Sequence, residues 1–313
     1  MVGLIPVGRT TKTITIIEAP TNLGLRPPKP GVEPGAWQAP DVLREAGLHD
    51  AIRPDEVRTL PRPIYRFERD PTSEFRNGST IRAYTLELAD EIGEAFDAGS
   101  FPIVIGGDCS VLLGGLLAAR RRGRTGLLHI DGHSDFYHRG NRGSSNHPGS
   151  VAGMDLAVAI GLGQEILTRW DDSPAPLVEP QDVIQIGERE SYESDFAFAD
   201  APSYGITVFA VQQILEHGVG TNWAAIEGRL DERGLDRVWM HIDVDVLDQA
   251  VMPAVDSPGS PGLDYEQLAE LARLALESER IIGAEITIYD PDLDPDRRCA
   301  SELVDLLAEI FAS

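Results

Sequence analysis

The sequence predicts an α/β fold, a parallel sheet covered by helices on both faces. Three observations point to it. Apolar, β-rich runs alternate with longer segments of helical period along the chain. Runs such as PIVIG and RVWMHID are largely apolar instead of alternating, as strands buried on both faces require. The residues with chemistry to offer fall just after such runs, and open parallel sheets bind ligands outside the carboxyl ends of their strands.

Taken in order, strands are expected at Thr13–Ile17, Val57–Leu60, Pro102–Ile105, Leu127–Asp131, Asp182–Ile186, Thr207–Ala210, Val238–Asp243 and Ile281–Ile286, each a short β-rich run. Between them the helical period marks Thr80–Ala98, Ser110–Arg122, Met154–Ile160, Trp223–Glu232, Asp264–Ser278 and Ser301–Phe311. The Pro- and Gly-rich stretches Gly24–Pro40 and Asn141–Gly153 read as long surface loops, not linkers. No repeat or low-complexity tract interrupts the pattern. Residues 1–313 are therefore expected to form a single domain, long enough to bury a sizeable core.

Acidic residues outnumber basic ones 51 to 27, and only Lys12 and Lys29 carry ammonium groups. That balance excludes nucleic acid and anionic membranes as partners and leaves a small-molecule substrate. Cys109 and Cys299 are the only cysteines, too few for a disulfide framework, which indicates a reducing compartment. The stretch MVGLIPVG is too short and too poorly flanked for a signal peptide, and no run reaches the length of a membrane span. A soluble cytoplasmic protein is expected.

The densest chemistry lies in HIDGHSDFY, where Asp131, His133 and Asp135 are spaced i, i+2, i+4. On an extended segment that spacing puts two carboxylates and an imidazole on one side. HIDVDVLD repeats the device with Asp243 and Asp245. Uncompensated carboxylates at buried strand ends are costly and a bound cation offsets them, so the two segments suggest a site for two hard divalent ions.

These blocks resemble the ureohydrolases, the arginase/agmatinase family. GGDCS (Gly106–Ser110) is similar to the family's GGDHS, DGHSD (Asp131–Asp135) to DAHxD, and HIDVDVLD (His241–Asp248) to SxDxDxxDP. MPAVDSPGSPGL (Met252–Leu263) resembles the PxxGTPxxGGL loop, and the likeness runs from about Ile16 to near the C-terminus. The resemblance implies a three-layer α/β/α fold with eight mostly parallel strands, assembly into trimers or hexamers, and a binuclear manganese centre. Its bridging hydroxide attacks a guanidinium or amidine carbon. By position, Asp131, His133, Asp243 and Asp245 would hold one ion and Cys109, Asp131, Asp135 and Asp243 the other, with Asp131 and Asp243 bridging.

Several positions depart from the family pattern. Cys109 replaces a histidine ligand, and its softer sulfur shifts preference from manganese toward zinc or iron; a buried, inert Cys109 is the alternative. Ile288 stands where a glutamate holds the substrate guanidinium, with Asp290 and Asp256 as possible replacements. Ala152 falls on the family's proton-shuttling histidine, which makes His147 the candidate general acid/base and His138 a weaker one. In IGERESY, Tyr192 takes the place of the carboxylate that reads an α-amino group in arginases, and Glu190 keeps the preceding acidic position. His129, His241, Trp223 and Trp239 read as core residues, Asp108 as a turn residue.

The expected function is hydrolysis of a non-peptide C–N bond in a small guanidino, amidine or related compound that is not arginine. A metal-binding homologue without turnover is the rival, and an amide deacylase on the same fold would need no guanidinium-binding carboxylate.

Overall fold

A computed structural model describes residues 12–68, 73–141, 149–173, 175–192 and 200–312, with the backbone alone at Tyr192. The strands are β1 (Ile14–Ala19), β2 (Glu56–Thr59), β3 (Phe101–Gly106), β4 (Gly126–Ile130), β5 (Val183–Ile186), β6 (Thr207–Phe209), β7 (Val238–Asp243) and β8 (Ile281–Thr287). They form one sheet in the order β2-β1-β3-β8-β7-β4-β5-β6, with every neighbouring pair parallel. All eight expected strands are present, and "mostly parallel" becomes wholly parallel.

The helices are α1 (Ala39–Glu45), α2 (Leu48–Ile52), α3 (Gly78–Asp97), α4 (Leu112–Arg120), α5 (Asp155–Ala159), α6 (Glu165–Thr168), α7 (Val211–His217), α8 (Val219–Arg233), α9 (Tyr265–Glu277) and α10 (Arg298–Phe311). α3 forms because Ile81, Tyr84, Leu88 and Ile92 recur on one buried stripe. α9 starts at a capping box in which Asp264 accepts from the Gln267 N–H and Gln267 reaches back. The sequence reading missed α1, α2, α6 and α7, whose four to seven residues leave a period little room to show.

Successive strand residues point to opposite faces. Ile16, Ile103, Leu128 and Met240 pack with Leu43, Trp223, Ile226, Leu268 and Leu303, whereas Ile17, Val104, Leu127 and Trp239 pack with Ile81, Leu88, Leu116 and Leu156. The result is three layers, α/β/α. The loop expectations need correction. In Gly24–Pro40, Leu25, Gly35 and Ala36 are buried and a 3-10 turn spans Gly35–Gln38, because Asp290 accepts a hydrogen bond from the Gly35 N–H. In Asn141–Gly153, Gly149, Val151 and Ala152 are buried, and residues 142–148 lie outside the described residues.

Candidate metal centre

Strands β3, β8, β7 and β4 are adjacent at the middle of the sheet, where the strand order turns back on itself. Their carboxyl ends meet at the switch point where α/β proteins bind ligands. Cys109 opens a 3-10 turn after β3, Asp243 ends β7, and Asp245 sits in the turn Val244–Val246. Asp108 anchors the first turn, its Oδ1 accepting from the Gly24 and Ser110 N–H groups. Gly107 is obligatory there, since a Cβ would stand 1.7 Å from the Thr21 carbonyl oxygen.

The donors converge for a different reason from the one the sequence suggested. β4 ends at Ile130, so Asp131, His133 and Asp135 are not one face of a strand. The chain turns after β4, with Asp131 Oδ1 accepting from the His133 N–H at 2.6 Å and Asp135 at φ 45°. The same side-chain-to-backbone turn holds the second segment, Asp243 Oδ1 accepting from the Asp245 N–H at 2.8 Å.

The donor atoms fall into groups that a further trio, His129, Asp131 and Asp135, links together. Asp131, His133 and Asp245 offer ligand atoms within 4.8 Å of one another, with His133 Nδ1 2.9 Å from Asp245 Oδ2. Cys109, Asp135 and Asp155 form a second such group, and Cys109 Sγ donates to Asp243 Oδ2 at 2.7 Å. Burial, followed by the charges of Asp245 and Asp243, pushes Asp131 well above the usual carboxylate range. Burial likewise raises Asp135 and Asp243, and burial with the charge of Asp243 holds Cys109 as a thiol. Burial opposes the His133 imidazolium, but Asp245 and Asp131 outweigh it and raise His133 to about 10. Asp245 is lowered because His133 outweighs its own burial.

One Asp131 oxygen, Oδ2, is buried with no hydrogen-bond partner among the described residues. Several carboxyls that burial drives toward their neutral forms, one of them with an orphaned oxygen, are a donor set that divalent cations would satisfy. The residues present fit two such ions.

Above the donors lies a cavity of about 390 Å³ lined by Cys109, His133, Asp135, Asp243 and Asp245 on its floor and by Arg26, Ser150, Ala152, Glu190, Asp256 and Ile288 higher up. Ile288 adopts φ 75°, an uncommon conformation for a β-branched residue, with its N–H bonded to the Gly107 carbonyl at 2.7 Å. Asp256 is exposed toward the cavity, yet protein surrounds it closely enough that burial, then the charge of Asp245, raises it to about 6. Glu190 is buried and faces the cavity, but its Oε2 accepts from the Ser134 N–H at 3.0 Å and hydroxyl at 2.6 Å. It holds the turn that carries His133 and Asp135.

The other nominated residues lie elsewhere. Asp290 does not line the cavity; its oxygens accept from the Gly35 and Asp292 N–H groups and so join two turns. His138 is buried against Asp200, Nε2 to Oδ2 2.9 Å, away from the cavity. His147 lies outside the described residues, as does the side chain of Tyr192. Sequence reading treated His129 and His241 as core packing and passed over Asp155 and Glu285 as site residues. All four are fully buried beside the donors, and burial, reinforced by the neighbouring His129, keeps the His241 imidazole neutral. The repeated HID, placing a histidine two residues before each acidic turn, was the signal that could have found the histidines.

A parallel three-layer sheet with clustered carboxylates and an imidazole at its switch point defines a candidate metalloprotein of the α/β class. A sequence profile described as the arginase family matches residues 12–312, and the chain belongs to that family. It is 28% identical to an arginase of Bacillus caldovelox over 307 residues, 96% of this chain and 98% of the relative. The native structure of the B. caldovelox arginase superposes with a TM-score of 0.81 at 26% identity, covering 96% of this chain and 99% of that one. A proclavaminate amidino hydrolase from Streptomyces clavuligerus shares the fold, with a TM-score of 0.70 at 20% identity over 96% of this chain and 91% of that one.

Proposed function

We propose that this protein hydrolyses a non-peptide C–N bond in a small guanidino, amidine or related compound other than arginine, with two divalent cations at the donor set. The observation that carries the reading is the convergence of Cys109, His133, Asp135, Asp243 and Asp245 on the floor of one cavity, with the buried Asp131 offering a ligand atom within 4.8 Å of those of His133 and Asp245. Asp131, His133, Asp243 and Asp245 would hold one ion and Cys109, Asp131, Asp135 and Asp243 the other. When bound, such ions lower the pKa of water and polarise the carbon under attack. Manganese suits the carboxylates, and a deprotonated Cys109 would favour zinc or iron.

The rest of the cavity supports a substrate other than arginine. Ile288 offers no charge where the family places a guanidinium-binding glutamate, and an aliphatic side chain cannot pair with a planar cation. Asp256 lines the same cavity and would take up a cationic head group above about pH 6, where it is ionised. Glu190 orients the His133–Asp135 turn through Ser134. His147 is the proposed proton carrier, three residues before the cavity-lining Ser150.

Urea and ammonia release from a panel of guanidino, amidine and amide compounds, arginine included, tests the reading with added manganese or zinc. Turnover of a guanidino or amidine compound above arginine is expected. Arginine as best substrate would overturn the specificity, and turnover of amides alone would favour the deacylase reading. The Cys109 thiol bonded to Asp243 favours a second reading, a metal-binding homologue without turnover; metal uptake with no product from the panel would establish it.

A further inference from the structure

Beneath the donor floor, inside the sheet, four polar side chains form a row across adjacent strands. Gln185 of β5 pairs in register with His129 of β4, His129 with His241 of β7, and His241 with Glu285 of β8. Asp155, the first residue of α5, lies against this row from the covering helical layer, its Oδ1 3.7 Å from His129 Nε2. His129, His241, Asp155 and Glu285 are all fully buried. A row of such residues in the middle of a parallel sheet has no place in an apolar core unless its polar atoms are satisfied.

Many of those atoms have no hydrogen-bond partner among the described residues: both nitrogens of His129, Nε2 of His241, both oxygens of Asp155 and Oε2 of Glu285. Gln185 Nε2 is satisfied by the His133 carbonyl, and one pair within the row is satisfied by its own members. His241 Nδ1 is 2.7 Å from Glu285 Oε1, the carboxylate–histidine pairing that fixes the ring of a metal-bound histidine and leaves Nε2 free to ligate. The His129 and His241 rings stack at 4.8 Å, and these two with Asp155 offer ligand atoms all within 4.8 Å of one another. The 3.7 Å between His129 Nε2 and Asp155 Oδ1 is too long for a hydrogen bond. It is close to the roughly 3.3 Å that separates two donors each about 2.0–2.1 Å from a tetrahedral zinc.

We infer that His129, Asp155 and His241 form a further divalent-cation site, with Glu285 as the residue that positions His241. None of its three ligands belongs to the set proposed for hydrolysis, although the two sets adjoin: His129 lies within the same 4.8 Å reach of Asp131 and Asp135, and Asp155 of Cys109 and Asp135. Two imidazoles and one carboxylate are borderline donors, which selects zinc or ferrous iron over manganese. Cys109 lies at the boundary between the two regions, within the same 4.8 Å reach of His241 and Asp243.

The test is metal content after saturating the full-length protein with Zn²⁺ and removing the excess. Asp155→Asn and His129→Gln are each expected to hold one zinc per chain fewer than the unmodified protein. His133→Ala, which removes the only imidazole of the outer set, should keep this zinc, and cobalt substituted at it should show imidazole coordination by X-ray absorption. Because His129→Gln can fail to fold, the near-isosteric Asp155→Asn and the cobalt spectrum of His133→Ala stand beside it. Unchanged zinc content in folded Asp155→Asn, or a cobalt spectrum without imidazole in His133→Ala, would overturn the site and leave ordered water as the partner of these groups. Urea release by the unmodified protein reports separately on the hydrolase reading.

Discussion

The outer and inner halves of the donor region are built from the same residue types and solve the problem of buried charge differently. In the outer half, His133 is held as an imidazolium against Asp245 and Asp131, so a protein cation stands among the carboxylates. In the inner half, His129, Asp155 and His241 lie in the core with most of their polar atoms unpaired among the described residues. The contrast teaches that the outer turns can keep their shape without an ion, whereas the inner row depends on one to offset its burial.

The strongest way to break this comparison is at Asp131, which serves the outer set. Asp131→Asn should reduce turnover of any panel substrate by more than about 100-fold, since even outer partners of metal ligands are worth 10–100-fold. Retained turnover would refute the assignment. Removing metal from the loaded protein with a chelator should lower its stability by about 2.7 kcal/mol relative to a metal concentration 100-fold above Kd, read by thermal denaturation. An unshifted melting curve would mean that neither half gains from an ion.

Glu285→Gln sharpens the distinction, because Glu285 bonds to His241 of the inner row and is not among the outer donors. Zinc affinity there should fall about 10–100-fold in a buffered-metal titration, with manganese binding at the outer set unchanged. Cys109→His probes the boundary: it restores an imidazole and should favour manganese relative to zinc in competition experiments. Unchanged preference would show that Cys109 is not a ligand.

The smallest effect expected is on pH dependence without metal. Asp155 is raised from 3.8 to about 6, chiefly by burial, so the folded form binds the extra proton and this contribution favours folding at acid pH and is lost as pH rises through about 6. His133 is raised from 6.5 to about 10, so its contribution is present below 6.5 and lost as pH rises through about 10. Both run the same way, and the metal-free melting temperature should fall between about pH 5 and about pH 9. A rise across that interval would show that both groups keep ordinary pKa values.

Much of the scaffold was legible because β-rich apolar runs report burial on both faces directly, and all eight strands follow them. Four of the five shortest helices were not, since four to seven residues span two turns at most and leave a period little room to show. Outer donors were legible from spacing, although the turn that gathers Asp131, His133 and Asp135 is made by side-chain capping and not by strand alternation. Glu190 and Asp290 illustrate the remaining gap. Each is acidic and stands in a segment that resembles a family motif, but one is engaged by Ser134 and the other by Gly35, partners far along the chain.

By itself the sequence determined that strands and helices alternate and that carboxylates end two of the strands, because hydrophobic period and residue type are local properties. Only the tertiary structure decided which histidines face each other. His129 and His241 are 112 positions apart and meet because β4 and β7 pair in register, and Asp155 joins them because α5 packs over that pair. Strand order and register are set by how the whole sheet closes, and no single segment encodes them.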